Sequence, residues 1–388
     1  MKIAYVIDSL ASKGGAERIL SEKMSYLATH LGYEVFVITC YQQPAHEPNV
    51  YPLSEKVRQI DLVVPFYSQY KVGYPMRLLT KWRLHRQLKK RLAETVREID
   101  PDVLVGVGYF RADMATGLKC RAKKVVELHE ARFYTMSGKD LHRSLLPRLY
   151  MQVYRWWYLR AVENRADAVV PLTTGDAYEW RRAKKVVVIP NFTMMPVADG
   201  QQAREKRVIA VGRLEWQKGF DWLVDIWARV AGNHPDWHLD IFGSGTQQAT
   251  LQQQIASLGL TQQMTIHPFS SHIREEYLRS SVFVLTSRYE GFSLALLEAA
   301  QNGLPSVAFD CPFGPAGLIA EGQSGFLVPC GDVSTFAERL ELLLSDETLR
   351  QRCSRYAVGY VQKYDIRAVM QQWDALFKEL CSTSKEAT

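Results

Sequence analysis

Arg207-Val-Ile-Ala-Val211-Gly212-Arg213-Leu214-Glu215-Trp216-Gln217-Lys218-Gly219 stands just past the middle of this 388-residue chain. Val208 to Val211 form a short apolar, β-branched run, which reads as a buried strand. Gly212 turns the chain, and a loop carrying Arg213 and Lys218 leads into a helical pattern. The same strand–helix alternation precedes this stretch and follows it. Upstream, strands are predicted over Ile3–Ile7, Glu34–Thr39, Val103–Val107, Lys124–Leu128, Ala168–Leu172 and Val186–Ile189, with helices such as Ala16–His30 and Leu79–Ile99 between them. Downstream, strands are predicted over His238–Phe242, Met264–His267, Val282–Thr286, Ser306–Phe309 and Phe326–Val328. Between the two series lies a polar stretch, Asn191–Lys206, that contains Gly200-Gln201-Gln202 and reads as a linker.

Apolar strands separated by helices specify parallel sheets covered on both faces. The expected fold is α/β, with two Rossmann-like, doubly wound domains facing across a cleft. Residues 1–190 form the first domain, 191–206 the linker and 207–365 the second domain. A terminal helix within 366–388 has no strand after it and is expected to pack back on the first domain. Ligands of open α/β sheets bind at the carboxyl ends of the strands, so the shared cleft is the expected site.

Composition narrows the class. Hydrophobic residues are 47% and charged residues 23%, which fits a globular chain and excludes a disordered one. There is no apolar run of eighteen residues, and Met1-Lys2 followed by Ile3–Ile7 reads as a strand, being too short for a signal peptide. The six cysteines, at 40, 120, 311, 330, 353 and 381, show no CxxC spacing and point to a reducing cytoplasm. The net charge of +7 is uneven: residues 1–190 hold 31 Lys/Arg against 19 Asp/Glu, the remainder 17 against 22. A basic half implies an anionic partner.

Three segments carry chemistry. Gly14-Gly15, after the first strand, lets the backbone approach a ligand beside a helix amino terminus. It is not GxGxxG, so a dinucleotide is disfavoured; the bland alternative is an ordinary strand–helix turn. Arg213 and Lys218 suit a diphosphate, although two solvated loop charges would look the same. Glu290-Gly291-Phe292-Ser293-Leu294-Ala295-Leu296-Leu297-Glu298 places one glutamate on a loop at the sheet edge and another in the following helix, with Ser293 as cap. Carboxylates there suit vicinal sugar hydroxyls. By themselves they also read as surface glutamates.

Taken together, these segments resemble family 4 of the retaining glycosyltransferases, which have the two-domain GT-B fold. The resemblance spans nearly the whole chain and includes Val188-Ile189-Pro190-Asn191, Gly243-Ser244-Gly245 and Asn302-Gly303-Leu304-Pro305. It implies an acceptor-side first domain and a nucleotide-sugar-binding second domain. It also implies that Gly14 and Gly15 approach the donor phosphate or the acceptor, and that Arg213 and Lys218 hold the diphosphate. Glu290 would bind the donor sugar, Glu298 the ribose, and Gly243 would lie beside the base. Phe292, Ser293 and Leu294 would offer backbone amides, and His129 would meet the donor sugar. The donor is expected to be a UDP-hexose or UDP-N-acetylhexosamine. The acceptor is expected to be a glycan or lipid-linked glycan in surface polysaccharide or lipopolysaccharide synthesis. No permanently bound cofactor is expected.

One departure is Gly317, within Asp310-Cys311-Pro312-Phe313-Gly314-Pro315-Ala316-Gly317, where many family members carry Glu. Asp100-Pro101-Asp102 spells DxD but precedes a strand, so no metal is expected there. The helical run Lys81–Leu92 and the stretch Arg143–Arg160, with Tyr150, Tyr154, Trp156, Trp157 and Tyr158, join charge to aromatics. They are expected to meet an anionic membrane surface as a peripheral contact at the cytoplasmic leaflet, or to be a solvated face over the core. Nucleic acid is not an expected partner. A nucleotide-sugar epimerase of the same fold and a non-catalytic nucleotide-sugar-binding protein are the alternative functions.

Overall fold

A computed structural model describes residues 1–12, 14–42, 49–73, 76–132, 145–197 and 204–382. The chain divides into two compact units, Met1–Pro190 with Val369–Thr388, and Asn191–Ala368.

The first unit holds β1 (Lys2–Ile7), β2 (Glu34–Thr39), β3 (Val57–Asp61), β4 (Val103–Val107), β5 (Lys123–Glu127) and β6 (Ala168–Val170). They form one parallel sheet in the order β3-β2-β1-β4-β5-β6. Alternate residues face opposite layers. Ala4, Val6, Phe36, Ile38 and Leu104 share one core, while Ile3, Tyr5 and Ile7 are buried on the other face. Helix Met76–Ile99 lays Leu84, Leu88, Leu92, Val96 and Ile99 along a single buried stripe, the spacing that one face of a helix imposes. The terminal helix Ile366–Ser382 buries Val369, Met370, Trp373, Leu376, Phe377 and Leu380. Tyr33 hydrogen-bonds its Asp374, and Lys185 pairs with its Glu379.

The second unit repeats the pattern. β7 (Arg207–Val211), β8 (His238–Phe242), β9 (Met264–His267), β10 (Val282–Leu285), β11 (Ser306–Asp310) and β12 (Gly325–Pro329) form a parallel sheet in the order β12-β11-β10-β7-β8-β9. Val208, Ala210, Leu239, Ile241, Val284 and Phe309 pack on one face; Ile209, Phe283, Leu285 and Ala308 pack on the other. Helix Phe220–Val230 buries Leu223, Val224, Ile226, Trp227 and Val230 against the first of these layers.

Three expectations need correction or refinement. Val186–Ile189 is not a continuous strand: Val186 makes an isolated bridge to Val169, and beyond it the Ile189 N–H donates to the Pro171 carbonyl at 3.2 Å. The neighbouring β6 stops at Pro171, which has no N–H to extend the ladder. Val57–Asp61 is a strand that the sequence reading passed over, because this edge strand is half exposed and lacks a continuous apolar run. Asn191, Phe192 and Thr193, the start of the polar stretch read as a linker, are buried, with the Thr193 N–H donating to the Tyr364 carbonyl at 3.4 Å. Residues 198–203 of that stretch lie outside the described residues, as do Arg143 and Ser144.

Asp100 ends helix Met76–Ile99 with a positive φ of 47° and pairs with Arg121 at 2.7 Å. Asp102 accepts the Lys2 backbone N–H at 2.8 Å. Both DxD carboxylates therefore have local structural partners.

Candidate active site

In each sheet the strand order reverses once, between β1 and β4 and between β7 and β10. At such a switch point neighbouring crossovers leave in opposite directions and open a crevice at the strands' carboxyl ends. Residues 212–219 follow β7, and residues 286–293 follow β10.

These two loops of the second unit are knitted together. The Arg288 N–H donates to the Gln217 carbonyl at 2.8 Å, and the Gln217 side-chain amide donates to the Tyr289 carbonyl at 3.1 Å. The Thr286 hydroxyl donates to the Lys218 carbonyl at 3.1 Å. Gly219 adopts φ 61°, ψ 30° and lies so close to β10 that a Cβ would stand 2.1 Å from the Thr286 carbonyl oxygen. Gly243, at the end of β8, is equally constrained: its Cβ would stand 1.9 Å from the Gly212 carbonyl oxygen.

This packing brings Lys218 and Glu290 into contact. Lys218 Nζ donates to Glu290 Oε1 at 2.7 Å, and the Ser287 hydroxyl donates to the same oxygen at 2.6 Å. Glu290 is 4% exposed and Ser287 fully buried. A carboxylate so held is fixed in position by two donors. Beneath it, burial and then the Glu290 charge push the Cys311 thiol up, keeping it neutral. A Cβ at Gly314 would lie 2.6 Å from Glu290 Cβ, so that glycine leaves room for the glutamate. Arg213 is exposed, with Gln217 Oε1 at 3.4 Å as a weak partner. One fixed cation and one adaptable cation thus stand on one loop.

The helix Leu294–Gln301 begins beside Glu290. Ser293 caps it, accepting the Leu296 N–H at 3.4 Å, and Phe292 and Leu294 flank the cap, half-buried. Glu298 is buried in this helix and accepts the Tyr277 hydroxyl at 3.3 Å, not the surface position its spacing alone allows. At Gly317 the carbonyl accepts the Tyr364 hydroxyl at 2.8 Å, and a Cβ there would stand 3.3 Å from that oxygen. Burial, with a smaller push from Tyr360, raises this phenol to about 12, so it stays a donor. A side chain at 317 would crowd that bond.

In the first unit, Gly14 precedes helix Gly15–Thr29. The space that its missing Cβ leaves is taken by the Glu17 carboxylate, which the Ser12 hydroxyl also bonds. At the β1/β4 switch point, Arg111 Nε donates to Asp8 Oδ1 at 2.6 Å, a pair that spacing did not reveal. His129 follows β5 and is largely buried, with Nε2 3.0 Å from Glu127 Oε1. Glu127 in turn pairs with Lys23, and both are buried. Their sequence signals are a lysine on the apolar stripe Ile19, Leu20, Met24, Leu27 and a glutamate directly after the buried pair Val125-Val126 of its strand. Arg288 was also missed; it pairs with Asp221 through two bonds of 2.9 and 2.6 Å while stacking on Trp222.

Comparison with known proteins adds to this. The profile described as Glycosyltransferase Family 4 matches residues 13–193, and that described as Glycosyl transferases group 1 matches residues 196–359. An uncharacterized glycosyltransferase of Haemophilus influenzae is 26% identical over 97% of this chain and 99% of its own. The amylovoran biosynthesis glycosyltransferase AmsD of Erwinia amylovora is 27% identical over 96% of this chain and 98% of its own. Among solved structures, sucrose-phosphate synthase from Thermosynechococcus elongatus superposes with a TM-score of 0.81 at 20% identity, covering 98% of this chain and 99% of its own. Anabaena HepE in complex with UDP gives 0.73 at 19% identity, covering 98% and 100%. With two parallel sheets of identical strand order, two glycosyltransferase profiles that together span nearly its full length, and full-length relatives, the chain belongs to the family 4-like glycosyltransferases of the GT-B fold.

Proposed function

We propose that this glycosyltransferase moves a hexose or N-acetylhexosamine from a UDP-sugar to a glycan or lipid-linked glycan of a surface polysaccharide, with retention of anomeric configuration. The observation that carries the reading is the Lys218–Glu290 pair at the β7/β10 switch point, beside the amino terminus of helix Leu294–Gln301. A diphosphate needs cations and free N–H groups; a sugar needs a fixed acceptor of hydroxyl hydrogen bonds. Both lie on the same pair of loops. The full-length relative AmsD is named for amylovoran biosynthesis, and the HepE structure contains UDP; both support the choice of donor and product class.

Arg213, Lys218 and the amides of Phe292, Ser293 and Leu294 neutralise the diphosphate as it leaves, without a metal. Glu290 holds sugar hydroxyls, Glu298 the ribose, and Gly243 leaves room for the base. His129 meets the donor sugar; Gly14 and Gly15 border the acceptor. The acceptor oxygen attacks C1 on the face from which the diphosphate departs. The C1–O bond to phosphate breaks, the new C1–O bond forms, and the departing phosphate oxygen takes the acceptor's proton. A panel of nucleotide sugars with membrane lipid extract tests this. Release of a nucleoside diphosphate is expected only with one donor and the extract together; conversion of the sugar nucleotide without acceptor would indicate an epimerase.

The first unit carries the proposed membrane contact. Helix Met76–Ile99 leaves Met76, Leu78, Leu79 and Trp82 exposed among Lys81, Arg83, Arg86, Lys89 and Lys90, and Trp156 and Trp157 are exposed on helix Leu145–Arg165. Arg86 and Arg160 lie over Trp82 and Trp156 at 5.5 and 4.7 Å. Such mixed faces suit the anionic headgroup layer of the cytoplasmic leaflet. Among the described residues no helix is long and apolar enough to cross a membrane. Sedimentation with anionic vesicles should be strong at low salt and weaken as salt rises; absence of binding at low salt would remove this contact.

A further inference from the structure

The buried pair Lys23–Glu127 is not accounted for by the fold. Both residues are 1–2% exposed, on a helix and a strand whose neighbouring buried positions are apolar apart from Ser21. Taking two charges out of water costs more than well-packed apolar side chains would, so such a pair is weak support for stability alone. Its surroundings give it a direction. Lys23 Nζ lies 4.1 Å from the ring centre of Trp373, on the terminal helix, and 5.1 Å from that of Tyr5 on β1. Two aromatic faces therefore cover the ammonium. Glu127 faces Lys23 with one oxygen and His129 Nε2 with the other. Burial alone would push the Glu127 carboxyl up, but Lys23 and His129 outweigh it and hold it down at about 2. Burial meanwhile pulls Lys23 below the ordinary lysine range, against the opposing pull of Glu127. Both ring nitrogens of His129 are buried without a well-aligned hydrogen bond among the described residues, and of the two it is Nε2 that lies within 3.0 Å of a carboxylate oxygen.

We propose that Glu127 is a positioning residue for His129, itself held in place by Lys23 under the cover of Trp373. Its carboxylate fixes the imidazole plane and keeps the proton on Nε2, which leaves Nδ1 as an acceptor for a hydroxyl of the bound sugar. The tautomer of a histidine is set by what its other nitrogen faces. This deepens, and rests on, the reading of His129 as a donor-sugar residue. It also makes the terminal helix, through Trp373, part of what orders that histidine.

The test compares wild type, Glu127→Gln and the double variant Lys23→Met/Glu127→Leu, which replaces the ion pair with apolar groups of similar size. Ring nitrogen resonances of His129 are read in 15N-histidine-labelled protein and assigned with His129→Ala. The double variant is expected to keep native circular dichroism and a wild-type thermal midpoint. Its kcat should fall about 10- to 100-fold, the scale typical of lost outer-shell support, with KM changed by less than about threefold. The His129 ring nitrogens should shift from a single-tautomer pattern to an averaged one, and Glu127→Gln should shift them in the same direction. Folded variants with wild-type ring resonances and wild-type kcat would overturn the proposal. A displaced ring signal together with a fully active His129→Ala would uphold the positioning and defeat instead the donor-sugar role of His129.

Discussion

Glu290→Ala should abolish transfer while leaving the protein folded. The expected loss in kcat is about 10²- to 10³-fold, the range seen when one prearranged electrostatic partner of a transition state is removed. The cause is local. Glu290 is fixed by Lys218 and Ser287, so in its proposed role it would meet a sugar hydroxyl with no reorganisation. Deleting it also leaves Lys218, only 16% exposed, without its carboxylate, at a stability cost of about 2 kcal/mol. Glu290→Gln separates the two effects, since it keeps the shape and an acceptor for Ser287 but loses the charge. Turnover is read by nucleoside diphosphate release, and folding by thermal melting. Near-normal turnover by folded Glu290→Ala would remove the glutamate from the reaction.

Gly219→Ala should be the most damaging small substitution in the second unit. The residue sits in the left-handed region, which costs any side chain about 1–2 kcal/mol. Its new Cβ would also collide with the Thr286 backbone oxygen at 2.1 Å, and that residue directly follows β10, so its carbonyl is held by the buried strand before it. Together these should cost about 3 kcal/mol or more, and urea unfolding would measure it. The loops carrying Lys218 and Glu290 would part, so donor binding should weaken even at temperatures where the variant remains folded. A midpoint and affinity like those of wild type would mean that the two loops are not locked together as described.

Much of this was legible in the sequence. Buried parallel strands announce themselves as apolar runs, and among the described residues eleven of twelve strands were read with boundaries shifted by no more than two residues. The exception, β3, is an edge strand with only Val57 and Ile60 as apolar guides. Val186–Ile189 failed in the opposite sense, since its composition suits a strand but Pro171 can only accept from the Ile189 N–H and has no N–H to complete the ladder. At the candidate site, Arg213, Lys218 and Glu290 were singled out because family motifs mark them, and the contact between Lys218 and Glu290 follows from the side-by-side pairing of β7 and β10. Ser287, Asp8–Arg111 and Lys23–Glu127 were not found. Ser287 meets Glu290 only three residues on, through a loop shape that spacing does not give, whereas Asp8–Arg111 and Lys23–Glu127 each join segments about a hundred residues apart that nothing in their spacing links. Only the oddity of a charge on an apolar face hinted at them.

The most direct measurement is the anomeric configuration of the product. Wild-type protein, the proposed α-linked UDP-sugar and the acceptor are incubated together, and the new linkage is read by the one-bond C1–H1 coupling in NMR. The account predicts an α-linked product formed in step with UDP release, and loss of both in Glu290→Ala. A β-linked product, or transfer without release of UDP, would contradict it.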